Sequence, residues 1–166
     1  IDVPQKDEED PDIEDPDMTG VPTESLGAIL IVGNAAYEYY GFSQKAADTY
    51  VQAVNKAADQ LEGVATGYSL VVPTSIDIML PADVRKNVNS ADQRKAIDYI
   101  FGAMDDNVVT VDIFNTMRNH REEYIYYRTD HHWTQLGAYY AYREFCEARG
   151  AAPAELNEAF TEANYG

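Results

Sequence analysis

The sequence predicts an α/β fold built on a mostly parallel sheet, and three features carry that prediction. Apolar runs of strand length recur at 28–32, 68–72 and 108–111. Stretches with apolar side chains at helical spacing lie between them, and glycine or proline punctuates nearly every junction. Strands that alternate with helices are joined by right-handed crossovers, which place helices on both faces of the sheet.

In chain order, the first segment stands apart. Ten of the 29 Asp and Glu residues fall in 1–24 against one of the 12 Lys and Arg, and Pro4, Pro11, Pro16 and Pro22 share the segment. Such a composition repels itself and buries almost nothing, so 1–24 is expected to be an extended or disordered acidic linker and 25–166 the folded domain. From Ala28 to Val32, between Gly27 and Gly33, the chain reads as a buried strand, with 34–40 folding back on it as a hairpin before Gly41. Ser43 then caps a helix whose Ala47, Tyr50, Val51, Val54, Ala58 and Leu61 form one stripe, ended by Gly63.

The strand at 68–72 is closed by Pro73, whose missing N–H cannot continue a central ladder. A loop or short helix carrying Pro81 follows. Ser90 and Gln93 have the spacing of a capping box, ahead of an element that buries Ile97, Ile100, Phe101 and Met104. The strand at 108–111 leads through a short helical stretch around Phe114 and Met117 to an expected strand at 124–127. The last helix starts near Thr134 and runs to Arg149, with Gly150 as the residue that ends it and Pro153 just beyond.

Bulk properties narrow the function. A chain of 166 residues suits one domain with its own core. Its formal charge of −17, without any cluster of Lys and Arg, is wrong for a phosphate backbone, so nucleic acid is not an expected partner. Cys146 is the single cysteine, which rules out an intrachain disulfide and a cysteine-based zinc site. It shares a helical stripe with Tyr139 and Tyr142, a pattern of core burial. No apolar run approaches the ~20 residues that span a bilayer. A start at Ile1 is expected of a trimmed or mature form, with room for a membrane tether upstream of residue 1 and the acidic segment as its spacer.

The candidate chemistry lies in Thr129-Asp-His-His-Trp133, between the expected last strand and the last helix. In parallel α/β sheets ligands collect at that carboxyl edge. An Asp two residues before a His can orient the imidazole through one ring N–H and leave the other nitrogen to take a proton from a hydroxyl nucleophile. Trp133 can pack inward and hold the turn rigid. By spacing alone the same residues serve equally as helix caps and loop hydrogen-bond donors. Three possible metal ligands are present in Asp130, His131 and His132, but adjacent histidines at a strand end point apart and no second carboxylate-rich motif is nearby. Neither a metal nor another cofactor is expected. Nine of the 13 tyrosines cluster at 37–40, 124–127 and 139–142, which suits both half-buried elements and sugar stacking.

The longer string Tyr127-Arg-Thr-Asp-His-His-Trp-Thr134, with Gly137 and Ala138 one turn on, resembles the bacterial proteins named for a DHHW motif. It is also similar to the Asp-x-His-Trp segment of the alginate O-acetylation proteins in the SGNH hydrolase-like group. Leu70-Val-Val-Pro-Thr74 with Leu80-Pro81 resembles their second strand and loop, and 33–41 the first hairpin of DHHW proteins. The resemblance implies a three-layer α/β/α SGNH-like architecture and a Ser-His-Asp triad in which Asp130 is the acid and His132 the base. His131 falls on a variable position, and with Tyr127, Arg128 and Trp133 it is assigned to substrate binding. The family's serine lies downstream of the motif, and 133–166 contains none, so the domain is expected to be incomplete and the nucleophile to stand outside this chain. Of the serines present, only Ser75 follows a strand end, and no Gly-x-Ser-x-Gly elbow surrounds it.

What the resemblance implies is an extracytoplasmic esterase or O-acetyltransferase, secreted or anchored at the cell surface, whose substrate is an acyl ester or polysaccharide. The alternative is a noncatalytic carbohydrate- or protein-binding module of the same fold.

Overall fold

Two small sheets, one antiparallel and one parallel, are joined through the helices packed around them in the computed structural model, which describes residues 20–156. The antiparallel sheet has the order β1 (Thr23–Leu26), β2 (Ile29–Val32), β3 (Ala35–Glu38). Its two hairpins pair Leu26 with Ile29 and Val32 with Ala35. Each therefore turns on two residues, and Gly27 (φ 62°) and Gly33 (φ 59°) supply the positive φ that such tight turns need. The parallel sheet pairs β4 (Gly67–Leu70) with β5 (Val108–Val111) in the register Gly67 to Val108.

In chain order α1 (Gln44–Gln60) links the two sheets, α2 (Ser75–Met79), α3 (Ala82–Arg85) and α4 (Gln93–Gly102) connect β4 to β5, and α5 (Phe114–Asn119) and α6 (Gln135–Ala148) follow β5. Ser43 caps α1, accepting from the Ala46 N–H, and the helix buries Ala47, Val51 and Ala58 as the stripe requires. Tyr50 and Leu61 lie toward solvent instead. Asp92, not Ser90, caps α4, through the Lys95 N–H. Ser90 Oγ is occupied by the Tyr40 N–H, a bond across 50 residues that local pattern cannot register.

The main core gathers Ile78, Ile97, Val111, Ile113, Met117 and Ile125. A second cluster, Leu30, Val32, Tyr37, Ile76 and Leu80, fastens the antiparallel sheet to α2. Each fully buried aliphatic side chain contributes about 1.5–3 kcal/mol over leaving it exposed. A polar node ties α2 to α4 and α5. Buried Asp77 accepts the Gln93 N–H at 2.6 Å, and its carbonyl oxygen accepts from Arg118 at 2.9 Å. Burial pushes the Asp77 carboxyl above its ordinary range, against the opposing pull of the Gln93 N–H and Arg85.

The architecture is mixed α/β, and two expectations need correcting. Among the described residues parallel pairing is confined to β4 and β5, so the sheet content is not mostly parallel. The segment 124–127 is not a strand; it makes one isolated antiparallel bridge, Tyr126 to Trp133. Two adjacent residues there, Ile125 and Tyr126, are both buried, and the Tyr126 hydroxyl donates to the Pro73 carbonyl at 2.6 Å. Side chains therefore pin the segment, and the two-residue alternation of a ladder is absent.

The acidic segment lies outside the described residues up to residue 19, and its Thr23 and Glu24 belong to β1. Every residue of β1 is exposed, so no hydrophobic alternation announces it. No described helix is long and apolar enough to cross a membrane.

Helix α6 comes unusually close to the segment before it. A Cβ at Gly137 would stand 2.5 Å from the Ile125 carbonyl oxygen, 3.1 Å from Trp133 Cβ and 3.2 Å from Met117 Cε. That oxygen already accepts the Thr134 N–H at 2.9 Å and cannot rotate away. Gly137→Ala is expected to destabilise the fold by about 1–3 kcal/mol, despite gaining about 1 kcal/mol of helix propensity. A thermal melt should fall by roughly 5 °C; a melt matching the wild type would show that the segment yields without cost.

Candidate functional site

The motif occupies a loop closed at its base by backbone. Tyr126 bridges Trp133, the Tyr127 N–H reaches the His132 carbonyl at 3.2 Å, and Thr134 Oγ1 donates to the Tyr124 carbonyl at 2.7 Å. Thr134 is also the N-cap of α6, accepting from the Gly137 N–H. Trp133 turns against the main core, partly buried. The loop therefore leaves a rigid base and projects 128–132 outward, where all five residues are exposed.

Within the loop, one carboxylate oxygen organises the chemistry. Asp130 Oδ1 lies 2.8 Å from the His132 backbone N and 2.6 Å from its ring Nδ1. The backbone bond forms a local turn that dictates where the carboxylate sits, and the ring follows it. First the His132 N–H and then its ring hold the Asp130 carboxyl below its ordinary range, so it remains ionised at neutral pH. An ionised acceptor at Nδ1 keeps the proton on that nitrogen and leaves the Nε2 lone pair free. The side chains of Asp130 and His132 are 54% and 66% exposed, so water screens the charge interaction and the pair's value lies in orientation.

His131 leans on His132, with 4.1 Å between ring centroids, and its Nδ1 stands 3.4 Å from Oε2 of Glu38 at the end of β3. The Ala36 N–H meets the Arg128 carbonyl at 2.7 Å, which docks the loop on the antiparallel hairpin and not on a parallel strand end. A shallow depression of about 150 Å³ lies between them, lined by Tyr37, Glu38, Thr129, Asp130 and His131 among others. Glu38 was not singled out from sequence, since the contact joins residues nearly a hundred positions apart. On the other flank the Arg128 guanidinium lies 5.6 Å over the Tyr124 ring, and the Tyr127 hydroxyl donates to Gln135 at 3.2 Å.

Asp130, His131 and His132 each bring a donor atom within 4.8 Å of the others. A tetrahedral zinc ion with bonds near 2.0–2.1 Å needs its donors roughly 3.4 Å apart. The 2.6 Å contact between Asp130 and His132 is instead that of a hydrogen-bonded pair.

Among the described residues no serine is hydrogen-bonded to His132. Ser25 bonds the Tyr39 hydroxyl, Ser43 and Ser90 bind backbone N–H groups, Ser69 bonds the Tyr50 hydroxyl, and Ser75 is buried at the start of α2.

A family model described as DHHW protein matches residues 4–166. The chain is 32% identical to a DHHW family protein from Eubacterium siraeum, whose crystal structure agrees with a TM-score of 0.73 over 82% of this chain and 45% of that one. Two structures of Bacillus cereus PatB1 agree at 16% and 17% identity with TM-scores of 0.59 and 0.57. They cover 78% and 84% of this chain and 45% and 47% of theirs, and the first carries a sulfonyl adduct. That likeness is one of fold. The chain spans a little under half the length of these solved relatives, and no curated protein matches it.

Proposed function

This chain belongs to the DHHW protein family, and from that premise we propose that Asp130 and His132 are the acid and base of an acyl-transfer triad. The carrying observation is the single Asp130 oxygen that takes both the backbone N–H and the ring Nδ1 of an exposed His132, at 2.8 and 2.6 Å. The reading is an extracytoplasmic esterase or O-acetyltransferase of SGNH-like, three-layer architecture that acts on cell-surface polysaccharide. The acidic linker spaces the domain from a membrane tether.

In this reading a serine outside this chain attacks the acyl carbonyl carbon while His132 Nε2 takes its proton. Asp130 stabilises the imidazolium that results. Collapse of the tetrahedral intermediate breaks the bond to the leaving alcohol, which receives the same proton. Water or a sugar hydroxyl, deprotonated by His132, then releases the acyl group. His131, Arg128 and Tyr127, around the dyad, bind the substrate, and Trp133 holds the turn.

The exposure of both dyad side chains favours one alternative, a noncatalytic carbohydrate- or protein-binding module. Hydrolysis of an aryl acetate by the full-length protein separates the two. The enzyme should turn the ester over and lose activity to an arylsulfonyl fluoride, with one sulfonyl group per chain in the intact mass. The sulfonyl adduct of the distant PatB1 structure motivates that reagent. Absence of both turnover and adduct would leave the binding module.

A further inference from the structure

A larger cavity, about 610 Å³, opens between α5, α6 and the turn at 150–153, and shares no lining residue with the depression beside His131. An aromatic stack forms part of its wall. The His120 imidazole lies on the Tyr140 ring with 3.6 Å between centroids and 14° between planes. Glu123 fixes both partners: one oxygen meets His120 Nδ1 at 2.6 Å, and the other accepts the Tyr140 hydroxyl at 2.7 Å.

Desolvation alone would raise the Glu123 carboxyl, but the bonds to His120 and Tyr140 outweigh it and hold the group below its ordinary range. Burial and then Glu123 push the Tyr140 hydroxyl up to about 12, so it stays a donor. With an ionised acceptor at Nδ1, His120 keeps Nε2 for a ligand. Asn119, Arg143 and Glu147 add an amide, a cation and a carboxylate to the lining.

Such a lining discriminates between ligand classes. Its many polar and charged groups are unsuited to a lipid or another apolar ligand. Glu144 and Glu147 outnumber Arg143, which disfavours phosphates and polyanions. Sugar hydroxyls both donate and accept, so they match an amide, a carboxylate and a free imidazole nitrogen together. The volume is within the ordinary range of small-molecule sites.

We propose that this cleft is a second saccharide site, taking one or two uncharged pyranose units of a glycan. The proposal rests on the polysaccharide reading above and places a binding surface outside the Asp130–His132 loop.

The test is ¹H–¹³C NMR of the histidine imidazoles in the full-length protein, with His120 assigned by the loss of its signal in His120→Gln. The probes are neutral hexose and N-acetylhexosamine trisaccharides, with a uronate trisaccharide as counter-probe. A neutral trisaccharide should shift His120 saturably and the uronate should act more weakly. Asn119→Ala and Arg143→Ala, both exposed and so expected to fold, should each weaken the response about tenfold. Shifts confined to His131 and His132 would overturn the second site while supporting glycan binding at the motif. A silent His120 with every neutral probe, or equal affinity in the wild type and both variants, also overturns it. Catalysis is judged separately, by the aryl acetate assay.

Discussion

Replacing His132 by alanine in the full-length protein is expected to lower acetyl ester turnover by about 10³–10⁶-fold, the range seen when the base of a cooperating triad is removed. The effect falls on kcat, because the imidazole acts on a proton that moves only in the transition state. Folding should not change: the side chain is 66% exposed and its contacts are confined to the loop. A melting temperature within about 2 °C of wild type checks that point. His131→Ala is the comparison: its ring touches His132 and Glu38 and is assigned to substrate binding, with no share in the Asp130 bond, so its loss should fall on KM and largely spare kcat. Equal losses in the two histidine variants would assign the effect to loop structure, and undiminished turnover in His132→Ala would remove it from the mechanism.

Asp130→Asn is the second large effect, a fall in turnover of about 10²–10⁴-fold. An asparagine oxygen still accepts the His132 backbone N–H, so the turn survives. The same oxygen still faces Nδ1 and orients the ring, but the charge that favours the imidazolium is gone. The sign with pH follows from the depressed Asp130 carboxyl: its contribution is present above its ordinary range and is lost only as pH falls through the lowered value. At neutral pH the whole effect is therefore visible. Steady-state kinetics of Asn, Ala and Glu variants checks it, and a variant series with uniform wild-type rates would leave Asp130 a turn former only.

These expectations depend on residues that local pattern made legible to different degrees. The strand Val108–Val111, helix α1 with its Ser43 cap and helix α6 with its Thr134 cap stand where periodicity and capping chemistry put them. Each is specified by residues within a few positions of itself. Strand β1 and the Asp92 cap were not legible. All of β1 is exposed, and Ser90 is drawn away by Tyr40 across 50 residues. The buried Asp77 and Gln93 pair joins two elements 16 residues apart and has no signature in either one.

Sequence by itself determined the Asp130–His132 spacing and, through it, their bond, because an Asp side chain reaches the N–H two residues on regardless of what surrounds the loop. It also determined family membership, through a match that runs over residues 4–166. Only the tertiary structure decided where that loop sits. The Ala36–Arg128 backbone bond, the Glu38 carboxylate beside His131, and the close approach of Gly137 to Ile125 set it against an antiparallel hairpin at the head of α6. The His120–Glu123–Tyr140 cluster belongs to the same class. Contacts between distant segments depend on packing that fixes both partners at once, and no short window of sequence contains that information.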